Sequence, residues 1–425
     1  MVPTGVRSTW RWALVRGGVL LPLGVVVGAA AGLGAAGFAV LVRTFSSVLT
    51  GRADFDPSPD PFLAGPAWWF VPLAPAVAGL VYGPLVAVFA PGPGGQGIGD
   101  VMAAVRARAG RMSLRRTGIG VIAATVFIAG GGSVGRVGPI VQLGAAFGSA
   151  TARLARISRA WSPMLVSAGA AGGFAAVLDA PVAAPFFVAE LIVGRFRPAT
   201  FAFAGVAGVV GDLVAGSLGG HLTLLNSSST SVAPLSWPGI VALGLAVGAV
   251  GVAFNRSFHA LQRLCARGHH VPPWLRPAVG GLLLGGLLLV LPPLYGTGTA
   301  AIRHTLDGAY PVGVLLLLAA GKIVATSLSL GIGGRGGLFG PIMFVGATSG
   351  AAFGALVGGP NAWLYGVLGI AAALAATAHA PVTAVVLLAE LTAMPELLPA
   401  LIITVVAASL TARALARQSI FTQVR

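Results

Sequence analysis

Apolar runs broken by glycine, proline and arginine organise this chain. The first covers 19–42 and predicts a long helix, followed by a polar loop at 52–60 holding Asp54, Asp56, Asp60 and two prolines. A second run at 68–90 opens on Trp68 and Trp69, suited to a membrane–water interface, and stops at the Pro-Gly-Pro-Gly-Gly of 91–95. Segment 97–108 is too short to span a bilayer, and with Arg111, Arg115 and Arg116 behind it reads as a re-entrant half-helix. Runs at 117–129, 139–152, 164–177, 181–193 and 201–218 predict tilted or broken helices, because several fall well short of the roughly 20 residues a straight span needs. A serine- and threonine-rich loop at 221–238 then interrupts the pattern. Beyond it, runs at 240–264, 279–291, 312–330, 341–357, 364–376, 381–391 and 397–415 predict a second set of helices, with 292–307 expected as a loop.

Within this pattern one stretch stands apart, Gly131-Gly132-Ser133-Val134-Gly135-Arg136-Val137-Gly138-Pro139. Its glycines permit open backbone conformations, and Gly-Pro favours a new helix starting near Gly138. A helix start leaves backbone N–H groups free and carries about half a positive charge, so it suits an anion. Irregular backbone at membrane depth is tolerated only where protein buries it or water lines it, which makes the stretch a pore or binding-site candidate. The motif recurs at 331–341, where Gly333-Gly334-Arg335-Gly336-Gly337-Leu338-Phe339-Gly340-Pro341 again opens an apolar run. Asp179-Ala180-Pro181-Val182 through Glu190 likewise pairs with His379-Ala380-Pro381-Val382 through Glu390. Two matched blocks in one order predict an internal duplication: a single integral membrane domain over 1–425, with half-repeats at 1–218 and 239–425 joined by a loop at 219–238. Such repeats, with glycine- and proline-broken segments in equivalent places, point to a transport site near the bilayer midplane.

Composition narrows the alternatives. The 425 residues are 56% hydrophobic and 8% charged, with mean hydropathy +0.92, which predicts an all-α polytopic membrane protein. The net charge of +16 would suggest nucleic acid in a soluble protein, but here the arginines fall in short connections, so no nucleic-acid partner is expected. Arg7, Arg11 and Arg16 before the first run predict a cytoplasmic N-terminus. That run is too long for a signal-peptide core and is expected to persist as a helix, and the length leaves no room for an appended regulatory domain. Cys265 is the only cysteine, so neither a disulfide framework nor a cysteine metal site is available, and no cofactor is expected.

These motifs resemble the CLC chloride channels and transporters. The likeness runs from Gly95-Gln96-Gly97-Ile98-Gly99 through 135–139 and 322–341 to Ser419-Ile420-Phe421-Thr422, in the family's order and spacing. It implies two helical halves of inverted topology, a homodimer with one anion path per subunit, and the prokaryotic type without CBS domains. It also implies anion-binding positions at Gln96, Gly97, Ile98, Val137, Gly138, Leu338, Phe339 and Phe421, with Arg136 at the pore entrance.

Several of these residues have plainer readings. Paired glycines in membrane helices generally mark close packing. Arg335 stands where the family commonly has a small residue, which weakens a functional reading. Lys322, the only lysine, needs an acceptor partner if buried, and structural pairing explains it at least as well as ion attraction. Glu190 and Glu390 sit in apolar helices and are read as satisfied acids, since the resemblance aligns Glu190 with the family's structural glutamate. His379 reads as a packing or capping residue.

Departures from the family pattern carry the mechanistic expectation. Val137 occupies the gate position, where the family has a protonatable glutamate, and Leu191 occupies the proton-glutamate position. Gln96 replaces a hydroxyl-bearing serine, and Phe421 keeps an aromatic ring without the tyrosine hydroxyl. The expectation is passive conduction of chloride or a similar small anion in a bacterial plasma membrane. The alternatives are a proton/chloride antiporter, a fluoride-selective relative or a non-transporting scaffold. An enzyme is disfavoured because the carboxylates, histidines and single cysteine form no catalytic constellation.

Overall fold

The structure is a computed structural model and describes residues 9–50, 70–90, 97–219, 236–267, 271–357, 362–416 and 418–421, without the side chains of 9–20, 50, 71, 266 and 267. The polar loop at 52–60, most of the 219–238 loop, Arg7 and Gln96 lie outside the described residues.

Among the described residues sixteen α-helices follow in two series of eight. The first comprises α1 (Thr9–Thr50), α2 (Phe70–Phe89), α3 (Ile98–Ala107), α4 (Leu114–Ala129), α5 (Val137–Leu154), α6 (Ser162–Leu178), α7 (Ala183–Phe187) and α8 (Pro198–Ser217). The second comprises α9 (Trp237–Arg267), α10 (Arg276–Val290), α11 (Thr299–Leu306), α12 (Val312–Gly331), α13 (Phe339–Val357), α14 (Ala362–Ala378), α15 (Pro381–Thr392) and α16 (Leu398–Leu415). Among the described residues seven helices are long and apolar enough to cross a membrane, and α6, α10, α14 and α15 are shorter apolar helices. Many outward-facing side chains on these helices are large and apolar, such as Leu33, Val81, Leu213 and Leu410, as a lipid-facing surface requires.

Packing follows the duplication. In the first series α1 lies on α8 and α5 on α6; in the second, α9 lies on α16 and α13 on α14, while α2 and α10 pair across the two series. The α5–α6 and α13–α14 contacts are close for the same reason. A Cβ on Gly144 would sit 2.1 Å from Gly169 O, and one on Gly346 would sit 2.5 Å from Gly369 O, so only glycine admits this approach. Small-residue seams of this kind give membrane helices dispersion contact without a hydrophobic driving force between them.

One expectation is corrected. Residues 292–307 are not a plain loop: a 3₁₀ turn at Pro292–Leu294 leads into α11, which starts after Gly298 in the left-handed region (φ 75°) and buries Ala301, Ile302 and Thr305. Eight residues with three inward positions leave little periodic signal, yet α11 is the counterpart of α3 in the other series. The 181–193 run is broken, as its shortness led one to expect: α7 passes into a π-helical turn, Val188–Val193, that ends at Gly194 (φ 73°). Carbonyls in the last turn have no intrahelical donors. Arg106 on α3 supplies them, Nη2 donating to Leu191 O at 2.8 Å and Nε to Ile192 O at 2.9 Å.

Candidate functional site

The two glycine motifs meet. Gly135 N donates to Gly337 O at 2.7 Å, and Gly337 N donates to Gly135 O at 2.8 Å, an antiparallel bridge between residues two hundred positions apart. This reciprocal pairing is what a two-fold relation between two equivalent turns demands. Each turn then enters a helix, α5 at Val137 and α13 at Phe339.

A third helix start reaches the same point. Gly97, in the left-handed region at φ 63°, precedes α3, and a Cβ on it would lie 2.5 Å from both C and O of Gly138. A Cβ on Gly337 would lie 2.6 Å from Gly138 N, and one on Gly135 would lie 2.9 Å from Gly340 N. The N-termini of α3, α5 and α13 therefore converge with bare backbone between them. Phe421, 3% exposed, arrives from the C-terminal segment, which is anchored by Ile420 N donating to Thr377 O at 3.1 Å; its carbonyl oxygen lies 3.8 Å from the place of a Gly99 Cβ. Ile98, Val137, Gly138, Leu338 and Phe339 are all buried here. The structure thus brings together every described residue expected at the binding site.

Side chains fix the backbone at this junction. The Phe339 ring stands edge-on to Phe174 at 5.5 Å and to Phe187 at 6.3 Å, and those two rings stack at 4.2 Å. Such a cluster holds the first residue of α13 by apolar contact and leaves its N–H for another partner. Proline at the third position of both helices removes a donor that has no intrahelical acceptor. Three converging helix starts, each with roughly half a positive charge, suit a small anion that uses backbone donors alone.

Access is basic. An open cavity of about 1070 Å³ is lined by Arg108, Arg111, Arg115, Arg116, Arg153 and Arg159, by Arg335 and by one acid, Asp100. It shares Arg116, Gln142 and Arg335 with a cell of about 20 Å³ that also touches Gly97, Pro139 and Gly336. The route from the vestibule to the helix starts therefore passes Arg335, the arginine that sequence reasoning favoured less. Arg136, half-buried at the N-cap of α5, lines neither cavity. Asp100, whose Oδ2 accepts from Gln142 Nε2 at 2.9 Å, was not singled out by the sequence, although it is the only acid on α3.

The remaining polar residues have structural duties. Lys322, fully buried, donates from Nζ to Leu294 O at 3.2 Å and Gly296 O at 3.1 Å, with the Phe344 ring 5.0 Å away. Glu190 of the first series accepts from Val382 N (3.1 Å), Thr383 N (2.8 Å) and Thr383 Oγ1 (2.7 Å) at the start of α15. Glu390 returns the contact, accepting from Val182 N (2.7 Å) and Ala183 N (2.8 Å) at the start of α7. Both carboxylates are half-buried and meet free helix N–H groups, the partners their charge needs. Leu191 is 4% exposed in the π turn and presents only its carbonyl, to Arg106. His379 takes a left-handed conformation (φ 57°) matching that of Asp179 (φ 57°), directly before the apolar helix of each repeat.

Two series of broken helices that turn backbone amides toward a common point, in a body built to sit in lipid, define a membrane protein of the anion-transporting class. Residues 78–413 match the model of the voltage gated chloride channel family, and the chain belongs to that family. Its members are membrane anion transporters and channels, not enzymes. A ClcB-like protein of Ralstonia nicotianae is 30% identical over 368 residues, covering 83% of this chain and 85% of the relative. The H(+)/Cl(-) exchange transporter ClcA of Vibrio cholerae serotype O1 is 33% identical over 307 residues, 68% of this chain, which spans 65% of that relative's length. A slow cyanobacterial Cl-/H+ antiporter of known structure superposes with a TM-score of 0.82 at 24% identity, covering 95% of this chain and 96% of that one, a likeness of fold.

Proposed function

We propose that this protein conducts chloride or a similar small anion passively, uncoupled from protons, with binding at the junction of α3, α5 and α13. The observation that carries this reading is the pair Val137 and Leu191. Coupled exchange needs one protonatable group that competes with the anion and another that hands protons to the opposite solution. The first position, at the start of α5, is a buried valine, and the second is a buried leucine, and neither titrates at any pH. Gln96, Gly97, Ile98, Val137, Gly138, Leu338, Phe339 and Phe421 are the proposed anion-contacting positions, with backbone N–H groups the principal donors. The assembly proposed is a homodimer with one path per subunit, in a bacterial plasma membrane with the N-terminus cytoplasmic.

The competing reading is proton-coupled exchange through a substitute acid. Glu190 is poorly placed for it, because its carboxylate is occupied by three donors of α15. Asp100, which lines the open basic cavity, is the acid this reading would use. The test is chloride efflux from liposomes with simultaneous pH recording. Flux that collapses a chloride gradient without stoichiometric proton movement is expected; uphill proton movement driven by chloride overturns the reading.

A further inference from the structure

The neck between the vestibule and the helix starts is lined by a residue with a polar atom that the described protein leaves unsatisfied. Arg335 reaches toward Ala90 O at 3.4 Å with Nη2, but its buried Nε has no hydrogen-bond partner among the described residues. Buried donors without acceptors are rare and call for a ligand or an ordered water. The adjoining cell of about 20 Å³ holds one particle of about water size.

Resting on the reading that anions traverse this chain, we propose that Arg335 forms a relay site for a small inorganic anion in the neck, one step outside the helix-start junction, with its strength set by Asp100. The geometry explains both roles. Arg335 lines the vestibule and the cell alike, so an anion drawn in by the vestibule arginines meets its guanidinium before it meets the amides beyond Gly97 and Gly336. Asp100 lines the vestibule together with Arg335 and Arg108, and its carboxylate accepts from the Gln142 side chain. Its negative charge therefore opposes an anion in the neck and keeps the site from becoming a trap, since a conducting site must release what it binds. Arg116 and Gln142 complete the polar groups around the cell.

The test measures chloride flux in liposomes as a function of chloride concentration for Arg335→Gln, Arg335→Lys and Asp100→Asn. Losing a hydrogen bond to a charged group predicts a half-saturating chloride about tenfold higher in Arg335→Gln. Most of that loss returns in Arg335→Lys. Asp100→Asn shifts it in the opposite direction, toward tighter and slower conduction. Chloride titration of the detergent-solubilised protein by calorimetry reads the same shifts in any variant that conducts too slowly. An Arg335→Gln value within twofold of the unmodified protein, or an Asp100→Asn shift of the same sign, overturns the relay site. Proton recording in the same liposomes judges the uncoupled reading separately: coupled protons with the opposed shifts intact would defeat that reading and leave the relay site standing.

Discussion

The reciprocal glutamates make a quantitative prediction that separates a capping role from a proton-carrying one. Glu190→Ala removes three acceptor contacts, to Val382 N, Thr383 N and Thr383 Oγ1, whereas Glu390→Ala removes two, to Val182 N and Ala183 N. Hydrogen bonds to a charged group contribute about 1.5–3 kcal/mol each, and the lower end applies here because both carboxylates are only half-buried. The expected losses are then about 4.5 kcal/mol for Glu190→Ala and about 3 kcal/mol for Glu390→Ala. These are upper values, because Val182 and Val382 are exposed and their freed N–H groups regain other partners. Thr383→Val deletes only the hydroxyl contact and should lower stability by about 1.5 kcal/mol, after which Glu190 and Glu390 become equivalent. Equilibrium unfolding in mixed micelles of rising SDS fraction measures all three variants. The capping account fails if Glu190→Ala is as stable as the unmodified protein, or if Glu390→Ala is the more damaging of the two while Thr383 is intact. Any Glu190→Ala protein that survives reconstitution should also show chloride flux with unchanged pH dependence.

Other outcomes follow from the junction and its supports. Val137→Glu should install acid-activated flux, because a carboxylate among the helix-start amides occupies the path when ionised and leaves it when protonated; pH-independent flux in that variant would count against an anion site there. Gly337→Ala, whose Cβ would lie 2.6 Å from Gly138 N, should disturb the Gly135–Gly337 pair and reduce flux well beyond its effect on folded yield, read as flux per reconstituted protein. Phe421→Tyr, restoring a hydroxyl donor at the inner position, should lower half-saturating chloride by up to about tenfold. Lys322→Met should leave Leu294 O and Gly296 O without their donor and lower folded yield, with chloride-over-nitrate selectivity unchanged in the protein that folds.

The apolar runs, their breakage by Gly-Pro and the duplicated motifs were enough to predict an all-helical membrane protein with paired helix starts. These signals are local: a helix start announces itself in the residues that form it, and a repeat is visible wherever the same constraint is met twice. The sequence could not show that the two turns bond to each other through Gly135 and Gly337, because that contact joins residues far apart in the chain. The same holds for Glu190 and Glu390, which read as buried acids one at a time and emerge as each other's counterparts only when α7 and α15 lie side by side. Arg335 and Asp100 show the limit most clearly. Arg335 belongs to a motif where a small residue is usual, and Asp100 is an unremarked acid on a short helix. Packing α3 against α5 beneath the 331–341 turn places both on the wall of one cavity, so their chemistry was decided by tertiary structure, since the potential at a charge depends on neighbours that sequence distance does not report.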